Sequence, residues 1–170
     1  MSTEKNSAKV GIVMGSDSDF EVMKAAAEVL KKFNIAYEIT VASAHRTPAR
    51  AAEFAAGARD RGLSVIIAGA GHAAHLAGAM AAHTTLPIIG VPIDSSALLG
   101  FDALLSTVQM PPGIPVATVA VGKPGATNAG VLAVQILALS DPELALRLDA
   151  FKQEMADKVV EKSKKIEDAF

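Results

Sequence analysis

The chain has no cysteine and no tryptophan, and it has only one tyrosine and six phenylalanines. Without cysteine, disulfides, thiolate nucleophiles and Cys-ligated metals are all excluded, which is compatible with a cytoplasmic location. With so few aromatic rings the core has to be aliphatic and Ala-rich, built from side chains small enough to let elements approach closely. An excess of one charge is also missing: 16 basic and 18 acidic residues give a formal charge of −2. The one basic cluster, Lys158, Lys162, Lys164 and Lys165, is interrupted by acidic residues, so nothing favours a nucleic-acid or membrane-surface partner. Long hydrophobic runs are lacking too. The stretch from Gly125 to Leu139 is broken by Asn128 and Gln135 and is too short to span a bilayer. Met1 to Lys9 is polar and has no apolar core of the secretory type. The expectation is a soluble cytoplasmic protein, with a flexible tail over residues 1–8 and a single domain over 9–170.

What is present is a regular alternation of strand and helix signals. The 170 residues, 51% hydrophobic and 20% charged, suit one domain with an ample core. Val10 to Met14 is a β-branched run ending at Gly15, and a stripe at Phe20, Met23, Ala27, Leu30 and Phe33 follows at helical spacing. Tyr37 to Val41 alternates like a strand. Thr47-Pro48 predicts a helix N-cap with Pro at the first helical position, opening a helix to about Arg61. Further strands are predicted over Leu63–Ala68, Ile88–Val91 (entered through Pro87) and Val116–Val121. Between the last two strands lies a less regular helical segment. Ala73 to Ala82 and Asn128 to Leu139 predict helices, and Asp141-Pro142 caps a final helix over 141–166 with a stripe at Leu144, Leu148, Phe151, Met155 and Val159. Such alternation implies right-handed βαβ units and an α/β fold with a parallel sheet covered on both faces.

In open parallel sheets ligands bind outside the carboxyl ends of the strands. Three loops expected there have unusual content: Gly15-Ser16-Asp17-Ser18-Asp19, Ser43-Ala44-His45-Arg46-Thr47, and Gly69-Ala70-Gly71-His72-Ala73-Ala74-His75. In the first, Ser16 suits an anionic oxygen at a helix start and Asp19 suits ribose hydroxyls, but Ser and Asp are also ordinary N-caps. In the second, Arg46 offers a planar charged fork for phosphate and Ser43 a hydroxyl. His45 is the residue type whose ordinary titration range lies near neutrality. A proton-transfer group beside a phosphate clamp describes acid–base chemistry on a phosphorylated substrate. In the third, Gly71 lets backbone approach a flat ligand, while His75 reads equally as a substrate-binding group or a satisfied histidine at the sheet edge. His72 and His75 stand three residues apart without a nearby Asp, Glu or Cys to complete a site, so no metal is expected. The segments 106–113 and 123–126 read as Pro- and Gly-rich connections. The two Ala-rich helices lack a polar face, which predicts burial against other subunits in a symmetric homo-oligomer, unless Ala serves there only as a good helix former.

Taken together, VGIVMGSDSD (10–19), SAHRTP (43–48), IIAGAGHAAHLAG (66–78), TLPIIGVP (85–92) and STVQMPPGIPVATVAVGK (106–123) resemble the class I 5-(carboxyamino)imidazole ribonucleotide mutases of bacterial-type purine biosynthesis. The likeness runs in order over nearly the whole chain. It implies a flavodoxin-like α/β/α sandwich, assembled as an octamer with active sites at subunit contacts and a C-terminal helix extending to neighbouring subunits. It also implies a carboxyl-moving reaction on a phosphorylated imidazole ribonucleotide without ATP, biotin or metal. Residue by residue, Ser16, Asp19, Ser43 and Arg46 match ribose- and phosphate-binding positions. His45 matches the catalytic histidine, His75 a second active-site histidine, and Gly71 the loop over the imidazole. Two departures stand out: His72 replaces a smaller residue such as Gly, and Ala77 replaces a common Pro. The rival expectations are direct carboxylation of aminoimidazole ribonucleotide by carbon dioxide, and a non-enzymatic flavodoxin-like binding module. The module reading is weakened by Gly69-Ala70-Gly71 standing where a phosphoacceptor Asp would be needed, and by the scarcity of rings to sandwich a flavin.

Overall fold

The computed structural model describes residues 8–170, so the expected tail lies outside the described residues except for Ala8. Five strands, β1 (Val10–Met14), β2 (Tyr37–Val41), β3 (Val65–Gly71), β4 (Ile88–Ile93) and β5 (Ala117–Thr118), form one sheet of order β2-β1-β3-β4-β5. Every pairing is parallel. Six helices follow the strands: α1 (Phe20–Lys32), α2 (Pro48–Ala56), α3 (Leu76–Ala81), α4 (Phe101–Val108), α5 (Gly122–Ala138) and α6 (Pro142–Glu167). The order 2-1-3-4-5 is that of flavodoxin-like doubly wound sheets, and its topological switch falls between β1 and β3.

The central strands are buried on both faces, which is why β1, β3 and β4 are nearly uninterrupted apolar runs, while β2 at the edge is half-exposed. Alternate residues feed different layers. Val13, Ile66, Ala68 and Ile88 join a core cluster with Ala51 and Ala55 of α2 and Leu76, Ala77 and Met80 of α3. On this face Gly90 leaves the space that Thr107 of α4 fills. On the other face the bare Gly69 receives the fully buried Met23 of α1, and Gly130 of α5 fits against Ala26 and Val29 of α1. Small residues thus set the layer spacing, as the shortage of aromatics required.

Several boundaries differ from the sequence expectation, each for a physical reason. The fifth strand shrinks to two paired residues because β4 continues through Pro92, which has no N–H, and the ladder toward β5 ends at the Val119 N–H bond to the Gly90 carbonyl, 3.1 Å. Helix α2 stops at Ala56 rather than near Arg61, with Gly57 at its end. Thr47 holds the N-cap position but makes no cap hydrogen bond, since its hydroxyl turns back to Ser43. Helix α3 loses its first three expected residues because His72, at φ +54°, bends the chain before it. Helix α5 starts at Gly122, not Asn128, with Pro124 in the first turn, where its missing N–H costs nothing. Ser106 and Thr107 belong to α4 rather than to a connecting turn.

By packing, the chain divides into two compact units, one ending at Ala133 and one comprising Val134–Phe170. In the second, Asp141 caps α6 by accepting from the Leu144 N–H at 3.0 Å. Met155, Val159, Val160 and Ile166 along this helix are exposed. Among the described residues no helix is long and apolar enough to cross a membrane.

Two glycine substitutions separate side-chain from backbone crowding. Gly69→Ala drives a methyl into the Met23 side chain and is expected to cost about 1–3 kcal/mol by overpacking. In Gly125→Ala the new Cβ would overlap the Ala120 carbonyl, coming within 2.6 Å of its carbon, and main chain cannot swing aside. Urea denaturation should show the greater loss for Gly125→Ala; the reverse order would mean that the main chain at Ala120 yields more easily than Met23.

Candidate active site

Parallel pairing in register sends the three loops flagged in the sequence to one rim. Met14 lies beside Val41 on one side and Gly69 on the other; β1 and β2 end at this level, and β3 runs two residues further, to Gly71, before its loop begins. The loops enclose a cavity of about 520 Å³ lined by residues of all three, with Ser95 from the loop after β4. All seven sequence-proposed residues, Ser16, Asp19, Ser43, His45, Arg46, Gly71 and His75, line it.

The first loop is locked by its own hydrogen bonds. Ser16 caps a single 3-10 turn over Asp17–Asp19: its hydroxyl accepts from the Ser18 N–H, and the Asp19 carboxylate accepts from the Ser16 N–H at 3.0 Å. Asp19 is only 5% exposed. Burial pushes its carboxyl above the ordinary 3.8, against the opposing pull of the Ser16 N–H and the charges of His72 and Arg46. The cap and ligand readings of this loop are therefore both open to the same residues, since Ser16 and Asp19 cap the turn while still lining the cavity.

The second loop is a tight turn closed by the Thr47 N–H bonding to the Ser43 carbonyl at 2.9 Å, with the Ser43 hydroxyl accepting from the Arg46 N–H at 3.1 Å. This projects Arg46 across to the first loop, where its guanidinium donates to the Gly15 carbonyl at 3.4 Å. The third loop is pinned from outside. The Ala74 N–H donates to the Ser106 hydroxyl of α4 at 2.9 Å, and the Thr107 hydroxyl, which donates to the Ala103 carbonyl at 2.7 Å, lies 3.5 Å from the Ala74 carbonyl.

The two held loops bring together imidazoles 30 residues apart in sequence. His45 Nε2 and His75 Nδ1 lie 2.8 Å apart, with the rings nearly perpendicular at 83°. A contact of that length needs one proton between the two nitrogens. Both histidines are exposed in the chain taken alone. Among the described residues no group of three His, Cys, Asp or Glu could hold a metal ion. A larger cavity, about 910 Å³, lies where β4 begins and includes His83, but its Arg59 is engaged by the Thr85 hydroxyl at 3.0 Å and no imidazole pair lines it.

Sequence reasoning missed Ser95 and Ser18 as cavity residues. Ser95 was within reach of the same rule that found the other loops, since Asp94-Ser95-Ser96 follows the carboxyl end of β4. The His45–His75 contact left no local trace, because it depends on the register of two strands.

The comparisons with known proteins agree with this architecture. Residues 9–158 match the family described as AIR carboxylase. The chain is 55% identical over 159 residues to the N5-carboxyaminoimidazole ribonucleotide mutase of Thermotoga maritima, covering 94% of this chain and 92% of that one. It is 57% identical over 154 residues to the protein of the same name from Bacillus subtilis, covering 91% and 95%. Treponema denticola PurE, a crystal structure, has a TM-score of 0.83 and 31% identity over 93% of this chain and 98% of that one. Agreement in sequence, in fold and across nearly the full length leads to one assignment: the chain belongs to the AIR carboxylase family.

Proposed function

We propose that the protein is a mutase of purine biosynthesis. It converts N5-carboxyaminoimidazole ribonucleotide into the isomer carrying the carboxylate on C4, using no ATP and no metal. The observation that carries this reading is the His45–His75 pair at 2.8 Å in a cavity shared with Arg46, Ser43, Ser16 and Asp19. The names and likeness of the relatives support it.

In this reading Arg46 and the Ser43 hydroxyl bind the phosphate, and Ser16 and Asp19 bind phosphate and ribose. Gly71 and its neighbours line the face over the imidazole, with Ser95 taking the space that a side chain at 71 would fill. Protonated His45 donates to the exocyclic nitrogen as its C–N bond to the carboxylate breaks and carbon dioxide leaves. Carbon dioxide stays beside C4, which attacks it, and His45 then removes the C4 proton and regains its starting state. His75 shares one proton with His45 and so orients the ring and its protonation through both steps.

Retaining carbon dioxide requires a closed pocket, yet both histidines are exposed in the single chain. Neighbouring subunits supply the closure in a homo-octamer, with α6 reaching adjacent chains. Exposed apolar residues favour assembly: Leu98, Leu99 and Phe101 are 64%, 82% and 65% exposed. Leu99 also sits at φ +52°, a conformation a bulky residue adopts only at a steric cost. A cytoplasmic location and a single catalytic domain over 9–170 complete the proposal.

Four experiments test it. His45→Asn should lower turnover by about 100- to 10,000-fold while substrate still binds; near-normal turnover removes His45 from the chemistry. In the same assay, carboxyl-labelled substrate in excess unlabelled bicarbonate should keep its label in the product, whereas full loss of label to solution would establish direct carboxylation instead.

Asp19→Asn gives a test with a defined sign. A carboxyl whose folded pKa is raised binds its proton more tightly in the folded chain. The wild type therefore loses stability as pH rises from 3.8 through the raised folded value. Asn preserves an oxygen acceptor for the Ser16 N–H without the charge. The melting temperature of Asp19→Asn should match the wild type at acid pH and exceed it at neutrality, while nucleotide binding weakens. A gap that fails to widen with pH would show that burial does not govern this carboxyl.

For the assembly, sedimentation equilibrium should return eight times the chain mass, and the double variant Leu99→Asp with Phe101→Asp should shift the protein to smaller species. A wild-type monomer would contradict the closed-pocket account.

A further inference from the structure

The mutase reading uses His45 and His75 but gives no task to the third imidazole of the cavity, His72. Its backbone is at φ +54°, the left-handed region that a glycine occupies without steric cost. A side chain at this position is therefore held against a backbone preference. Its Nδ1 lies 3.3 Å from the Ser95 hydroxyl, and both residues line the cavity. Ser95 stands there because Gly71 is bare: a Cβ at 71 would overlap the Ser95 hydroxyl and come within 3.2 Å of the Ile93 carbonyl. The absent side chain at 71 thus admits Ser95, and Ser95 holds the ring of His72.

Sheet order then decides what His72 would meet. Arg46 enters the cavity from the loop after β2, while His72 and Ser95 enter from the loops after β3 and β4, on the far side of β1. A nucleotide anchored by its phosphate at Arg46 crosses the β1–β3 crevice with its base end toward His72. We propose that His72 is a substrate-positioning residue whose Nε2 donates a hydrogen bond to the carboxylate carried by the imidazole, with Ser95 fixing the ring. This inference rests on the mutase reading above and extends it to the recognition of one substituent.

The test compares two probes, the C4-carboxylated aminoimidazole ribonucleotide and ribose 5-phosphate, by titration calorimetry on the wild type, His72→Gly and Ser95→Ala. Glycine suits the left-handed backbone, so His72→Gly should fold with an unchanged or raised melting temperature. It should weaken binding of the carboxylated nucleotide about tenfold, the size of one charge-assisted hydrogen bond. Ribose 5-phosphate, which has no base and no carboxylate, should bind as it does to the wild type. In turnover the change should fall on KM rather than kcat, and Ser95→Ala should shift KM in the same direction by less. Unchanged affinity of His72→Gly for the carboxylated nucleotide overturns the assignment, and so does an equal loss for both probes, which would mark a loop disturbance. Failure of the wild type to bind the nucleotide at all would overturn the mutase reading and this inference with it, a result distinct from failure of the variant alone.

Discussion

The site depends on the parallel register that sets Met14 level with Val41 and Gly69. Because three adjacent parallel strands end within two residues of one another, the loops that follow them share a rim. A shift of one residue in β2 would turn its side chains to the opposite face and withdraw the His45 loop from the other two. Burial holds the register of β1 against β3, since β1 has no exposed residue and β3 is buried over its first five, whereas half-exposed β2 is held by its backbone ladder to β1. The buried strands and that ladder together bring His45 to within a hydrogen bond of His75.

Within that frame the cavity balances its charges. Arg46, the imidazoles and one buried carboxylate, Asp19, face a common space. Asp19 spends one oxygen on the Ser16 N–H and so rigidifies the loop while remaining the one acidic side chain on the wall.

Much of the fold was legible because its signals are local. Strand β1 and helix α1 follow from a β-branched run and an apolar stripe, and the Asp141-Pro142 pair marked the start of α6 within the final helix. The fifth strand was overread because its residues look β-prone, whereas pairing partners decide where a ladder ends, and Pro92 of the neighbouring strand offers no N–H. Helix α5 was underread because Pro124 and Gly125 resemble a turn until the helix is seen to open there. The site residues were legible as members of strand-end loops. Their mutual distances were not, since the His45–His75 contact and the Ser95 contact with His72 are products of tertiary packing.

The loop bearing His72 and His75 is fastened at Ala74 to the Ser106 hydroxyl of α4. Neighbours of Ser106 in the same helix, Leu105 and Val108, are exposed. One helix thus holds an imidazole-bearing loop on its inner side and offers apolar side chains on its outer side, so a substitution on α4 bears on both surfaces at once.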